Sequence, residues 1–146
     1  MNPAKSSGIQ VRVIWFHDDV IELFVSGWNG SFGGTVSVYE GTGDLAKAAE
    51  HIRGFPRNPS DMREIILGIF DRKCAGGGVK MRFHCIGGAG HAFVEATFDA
   101  NYASAGTIQT AVLSMPVEAA AVDRFVQELH TVGANRAGEA YLKAME

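Results

Sequence analysis

Apolar and polar positions alternate over most of the chain, and the alternation predicts where the strands lie. Residues 9–16 and 20–25 are apolar and β-branched, with Asp18-Asp19 between them as turn residues. Trp28-Asn29-Gly30-Ser31 follows, and Asn-Gly is a strong hairpin signal because both residues tolerate positive φ. A two-residue turn there pairs residues whose numbers sum to about 59, so Ile21 faces Val38 and Leu23 faces Val36. Beyond Gly41 the period changes: Leu45, Ala48, Ala49 and Ile52 form a helical stripe, with Asp44 as N-cap, Gly54 as stop and Pro56 beyond it. Residues 57–61 read as a loop, and Ile65, Leu67 and Ile69 begin a strand ending near Phe70. The Gly-rich stretch 71–78 reads as a flexible connection. Two runs, 79–86 and 91–98, then flank the loop Gly87-Gly88-Ala89-Gly90. Pairing across it sets Phe83 against Val94, Met81 against Ala96, Val79 against Phe98 and Cys85 against Ala92 on an apolar face. The other face sets Arg82 against Glu95 and His84 against Phe93.

Residues 106–115 read as one more strand, Pro116 suits the first position of a helix, and Val122, Phe125, Val126 and Leu129 form that helix's core stripe up to Gly133. The order is β-β-β-α-β-β-β-β-α: an α+β domain with a mainly antiparallel sheet of about six to seven strands and two helices on one face. The domain spans 9–133. Residues 1–8 read as a disordered N-terminus, and 134–146 as a tail or a short helix. The face left open by the helices carries Glu22, Phe24, Arg82, His84, Phe93 and Glu95.

Length and composition narrow the class. A chain of 146 residues fits one domain, long enough to bury roughly 70% of its unfolded surface without a metal or disulfide staple. Thirteen basic against sixteen acidic side chains give −3, without the basic excess of a nucleic-acid binder. No apolar run approaches the ~20 residues of a membrane span, and the first eight residues lack a signal-peptide core, so a reduced cytoplasmic setting is expected. Cys74 and Cys85 form neither a metal spacing nor a disulfide framework.

The candidate chemistry is sparse. Gly87-Gly88-Ala89-Gly90-His91 resembles a phosphate loop, yet a strand follows it where an anion needs a helix N-terminus. Strand geometry sends His84 and Cys85 to opposite faces, which breaks a nucleophile–base pair. His84 and His91 share a face but have no adjacent third ligand, and no metal or cofactor is expected. No catalytic signature is present. Trp15, Phe16, Phe24, Trp28 and Phe32 crowd the first hairpins; core packing accounts for most of them, whereas Trp28 beside the turn is a candidate anchor. The binding candidates are therefore Trp28, Arg82, His84, His91, Phe93 and Glu95.

Gly54-Phe55-Pro56, Ala75-Gly76-Gly77-Gly78-Val79, Ala89-Gly90-His91-Ala92 and Pro116-Val117-Glu118-Ala119-Ala120-Ala121 resemble a family of small, uncharacterised bacterial α+β proteins. The layout over about residues 9–131 also resembles the immunity proteins of wall-associated polymorphic toxins. That resemblance implies a non-catalytic protein that binds a partner, such as a toxin domain, or itself, through an exposed sheet face. The alternative is a small-molecule binder or enzyme with a pocket near His84, Phe93 and Glu95.

Overall fold

The structure, a computed structural model, describes residues 6–71, 76–100 and 107–145. Its eight strands and two helices follow the order β1 (Gly8–His17), β2 (Val20–Trp28), β3 (Gly33–Gly41), α1 (Asp44–Ile52), β4 (Arg63–Gly68), β5 (Gly78–Ile86), β6 (His91–Asp99), β7 (Thr110–Pro116), α2 (Ala119–Asn135) and β8 (Glu139–Lys143). The α+β class and the order through the second helix are as the periodicity predicts. The strands, however, divide between two antiparallel four-stranded sheets, β3-β2-β1-β8 and β4-β5-β6-β7. Local alternation fixes which residues share a face of one strand but does not say which hairpins join.

The sheets share one core. Ile9, Val11, Leu23 and Val38 of the first face Leu67, Met81, Val94 and Phe98 of the second, all buried. β3 touches all four strands of the second sheet, so the two converge there. Glycines allow the approach: a Cβ on Gly27 would come within 2.7 Å of the Phe98 ring. The Gly77 N–H donates to Ser37 O across the same seam, and on the far side the Met145 N–H donates to Pro116 O. α1 packs on α2, which packs on β8. Their stripes, Leu45, Ala49 and Ile52 on α1 with Val122, Phe125 and Leu129 on α2, complete the core.

Several local expectations are corrected. In the β2–β3 hairpin Leu23 faces Val38 and Val25 faces Val36, two residues out from the expected register. The Asn29 side chain accepts from the N–H groups of Ser31 and Phe32, which makes a four-residue loop in place of a tight Asn-Gly turn. A slip of two preserves both faces, so the periodicity was blind to it. The β5–β6 register agrees with expectation at every pair, including Arg82 with Glu95 and His84 with Phe93. Gly43 occupies the N-cap of α1, and Asp44 accepts from the Gly41 N–H from within the first turn. Pro116 ends β7, and α2 begins at Ala119.

Gly133 does not stop α2. It lies inside the helix, where a Cβ would sit 3.3 Å from Leu45, and the helix ends at Arg136 with φ 52°. Residues 139–143 are neither a tail nor a helix but an edge strand on β1, with Ala140 and Leu142 fully buried. Five residues are too few for a sequence period to show against the preceding helical pattern. Of the expected disordered start, Ser6, Ser7 and Gly8 are placed: the Tyr141 hydroxyl donates to Ser6 O and Ser7 O, and the Ala144 N–H to Ser7 O. Residues 1–5, Cys74 and residue 106 lie outside the described residues; the strand expected from 106 begins at Thr110, because residues 107–109 make no ladder.

Candidate functional site

Neither helix covers the outer face of either sheet, so the six residues expected on one open face separate into two groups. Glu22 and Phe24 belong to the first sheet; Arg82, His84, Phe93 and Glu95 belong to the second. On the second sheet, Glu64, Arg82, Glu95 and Ser114 form one row across β4 to β7, and His84, Phe93 and Pro116 the next. The His84 and Phe93 rings stack at 6.2 Å, and the Arg82 guanidinium lies against Met62 Sδ at 3.1–3.2 Å. Arg82, His84 and Glu95 stand along an open face, whereas His91 and Phe93 help line a groove of about 460 Å³ with Pro56, Pro116 and Met145. A neighbouring groove of about 520 Å³ runs between α2 and β8, past Arg124, Glu128 and Lys143.

Trp28 is half-buried, between Gly8 on β1 and Gly33 on β3, and a Cβ on Gly33 would touch its ring at 3.1 Å. It belongs to the first sheet, whereas Arg82, His84, His91, Phe93 and Glu95 belong to the second, although the Nδ2 of the adjoining Asn29 donates to Ser114 O on β7. The exposed aromatic residue of that hairpin loop is instead Phe32, 69% exposed.

A run of exposed apolar residues lies at the other end of the first sheet. Ile14, Trp15, Phe16 and Val20 are all exposed on the β1–β2 hairpin, with Tyr39 beside them on β3. An irregularity in β1 explains why. Ile9, Val11 and Val13 face inward, and unbroken alternation would send Trp15 inward too. The register shifts between Val13 and Trp15, so Val13 faces Leu23 while Trp15 faces Glu22. One extra residue, Ile14, reverses the faces and re-aims Trp15 outward, as β-bulges do. Core packing was the wrong expectation for Trp15 and Phe16, which are 48% and 50% exposed.

Trp15, Glu22 and Tyr39 then stand in register on three adjacent strands. In the next row the Arg12 guanidinium lies 5.5 Å from the Phe24 ring centre. His17 stacks on Trp15 at 6.1 Å and pairs with Asp18 at 3.5 Å. On the opposite side of the hairpin the Arg136 guanidinium lies 4.7 Å from the Phe16 ring centre.

Groups with catalytic potential elsewhere are held in structural roles. Cys85 packs half-buried against the core with its Sγ 4.0 Å from Asn58 O, and burial raises its pKa, the wrong direction for a nucleophile. The His130 Nε2 lies 2.6 Å from Glu50 Oε2, and Arg53 makes a bidentate pair with the same carboxylate. Arg53 first, then His130, holds the Glu50 carboxyl down at about 2. This network ties α1 to α2 on an exposed surface. Among the described residues no group of three or more His, Cys, Asp and Glu side chains is placed to hold a metal ion, and no helix is long and apolar enough to cross a membrane.

No protein family matches the chain, and no curated protein or solved structure is significantly similar to it.

Proposed function

We propose that this chain is a non-catalytic protein-binding domain that meets its partner through the outer face of the first sheet, at the end carrying the β1–β2 hairpin. One observation carries the reading: a β-bulge turns Trp15 out of the core to join exposed Ile14, Val20 and Tyr39 on a face no helix covers. Contiguous apolar surface of this kind marks interaction sites, and Trp, Tyr and Arg are the residues that anchor interfaces. The raised pKa of Cys85 and its separation from His84 favour binding over turnover. On the immunity-like reading implied by the layout, the partner is a toxin domain. The Arg82–Glu95 face of the second sheet is left for a weaker or second contact.

Native mass spectrometry of untagged protein from its own cells, wild type against Trp15→Ala, tests the proposal. A protein complex retained by the wild type and lost by an equally stable Trp15→Ala variant is the expected result. A complex indifferent to Trp15, a chain travelling alone, or a retained small molecule would count against it. The small molecule would redirect attention to the groove beside His91 and Phe93.

A further inference from the structure

We propose that Trp15, Glu22 and Tyr39 form a subsite for a basic side chain, lysine or arginine, of a protein partner. The inference rests on the functional reading above and names the chemistry its face recognises.

The three residues occupy adjacent strands in one row, Trp15 on β1, Glu22 on β2 and Tyr39 on β3. Neighbouring strands are about 4.8 Å apart, so the two aromatic residues flank the carboxylate with roughly 10 Å between their strands. A cation held at the Glu22 carboxylate would stand between the strands that carry the two aromatic residues, whose ring faces attract charge within ~6 Å. Trp15 and Tyr39 are 48% and 42% exposed, so each ring keeps a solvent-facing side although His17 stacks on Trp15 and Gly76 packs against Tyr39.

The polar groups of this row are also uncommitted. Glu22, the Trp15 indole N–H and the Tyr39 hydroxyl make no hydrogen bond or ion pair with other described residues. The nearby guanidinium groups are engaged elsewhere: Arg12 lies over Phe24 and Arg136 lies over Phe16. Asp18 and Asp19 sit at the adjoining turn, and the chain as a whole carries −3. The site therefore presents a carboxylate flanked by two aromatic residues beside an acidic turn, which is complementary to an ammonium or guanidinium group. The bulge matters here too, because without it Trp15 would face the core and the row would hold one aromatic residue.

The test is an NMR titration of the full chain with three blocked peptides, Ac-Gly-Arg-Gly-NH2, Ac-Gly-Lys-Gly-NH2 and Ac-Gly-Glu-Gly-NH2. The Arg and Lys peptides are expected to shift the Trp15 indole and the Glu22 and Tyr39 amides saturably, with dissociation constants in roughly the millimolar range. The Glu peptide is expected to leave them unmoved. Glu22→Gln, an exposed-face change that preserves shape, should weaken the Arg peptide about five- to tenfold. No saturable shift by about 50 mM, an equal response to the Glu peptide, or unchanged affinity in Glu22→Gln would overturn the proposal. Failure here is separable from failure of the functional reading. If the peptides do not bind but Trp15→Ala still loses the native partner, the face stands and the basic subsite falls. If the peptides bind and the partner is retained by Trp15→Ala, the subsite stands and the face is not the docking surface.

Discussion

Arg63 organises the crossing from α1 to β4. Its guanidinium pairs with both carboxylate oxygens of Asp61 at 2.8 and 3.2 Å, donates to Arg53 O at 2.5 Å, and lies 5.9 Å from the Phe55 ring centre. Asp61 in turn accepts the Arg57 N–H at 2.7 Å, and its carboxyl pKa is lowered first by Arg63. The two side chains are only 15% and 13% exposed. Removing one partner therefore strands a desolvated charge, a loss larger than that of an open surface pair. Arg63→Ala should cost about 2–4 kcal/mol in denaturant unfolding. Arg63→Lys should recover little, because an ammonium cannot reproduce the fork that meets Asp61 and the Arg53 carbonyl together. An unchanged midpoint for Arg63→Ala would show the pair to be energetically neutral, and one for Arg63→Lys would show that the fork geometry is not required.

At the scale of elements, β8 is the piece whose role differs most from the sequence reading. Ala140 and Leu142 are fully buried and Ala144 nearly so, and the strand pairs with β1 from Gly8–Lys143 to Arg12–Glu139. It also supports α2, whose Glu128 carboxylate accepts the Tyr141 N–H. A chain cut after Arg136 would leave the hydrophobic side of α2 and the edge of β1 open to water. Circular dichroism should show that the cut protein has lost its cooperative thermal transition. A dispensable tail would instead leave the melting curve in place.

Across the whole molecule, one contact joins both sheets and the first helix. The Glu40 carboxyl on β3 accepts the Gly68 N–H at the end of β4 and hydrogen-bonds the Asp44 side chain at the start of α1. Two carboxyl groups bond in this way only when one holds a proton. Burial first, then Asp44, pushes the Glu40 pKa up to about 7, and the bond from Glu40 lowers that of Asp44. Because Glu40 titrates higher in the folded chain than in the unfolded one, its contribution is complete below the ordinary glutamate range. It is lost as pH rises through about 7. Asp44 behaves oppositely, contributing above the ordinary aspartate range and losing that contribution in acid. Glu40→Gln keeps a neutral group that can bond both neighbours, so it should match the wild type at pH 5. At pH 8 it should be more stable by on the order of 1–2 kcal/mol, after allowance for partial solvent exposure. Melting temperatures at the two pH values check this, and parallel pH dependence in the two proteins would show that Glu40 titrates normally.

Period and turn chemistry by themselves determined the element order as far as the second helix, the α+β class, the β5–β6 register and the inward faces of most strands. These are local properties: residues two apart share a strand face, and residues three or four apart share a helix face, whatever the rest of the chain does. Tertiary structure decided how the strands divide between two sheets, the role of β8, and the purpose of Gly133, which permits contact with Leu45 rather than ending a helix. It also decided the candidate site. Arg82, His84, Phe93 and Glu95 were legible as one face of a single hairpin, but their separation from Glu22 and Phe24 was not, because pairing between sheets has no sequence period. The outward turn of Trp15 depends on one unpaired residue, Ile14. A bulge is settled by how the hairpin packs on the core, where burying a large indole competes with keeping the ladder regular.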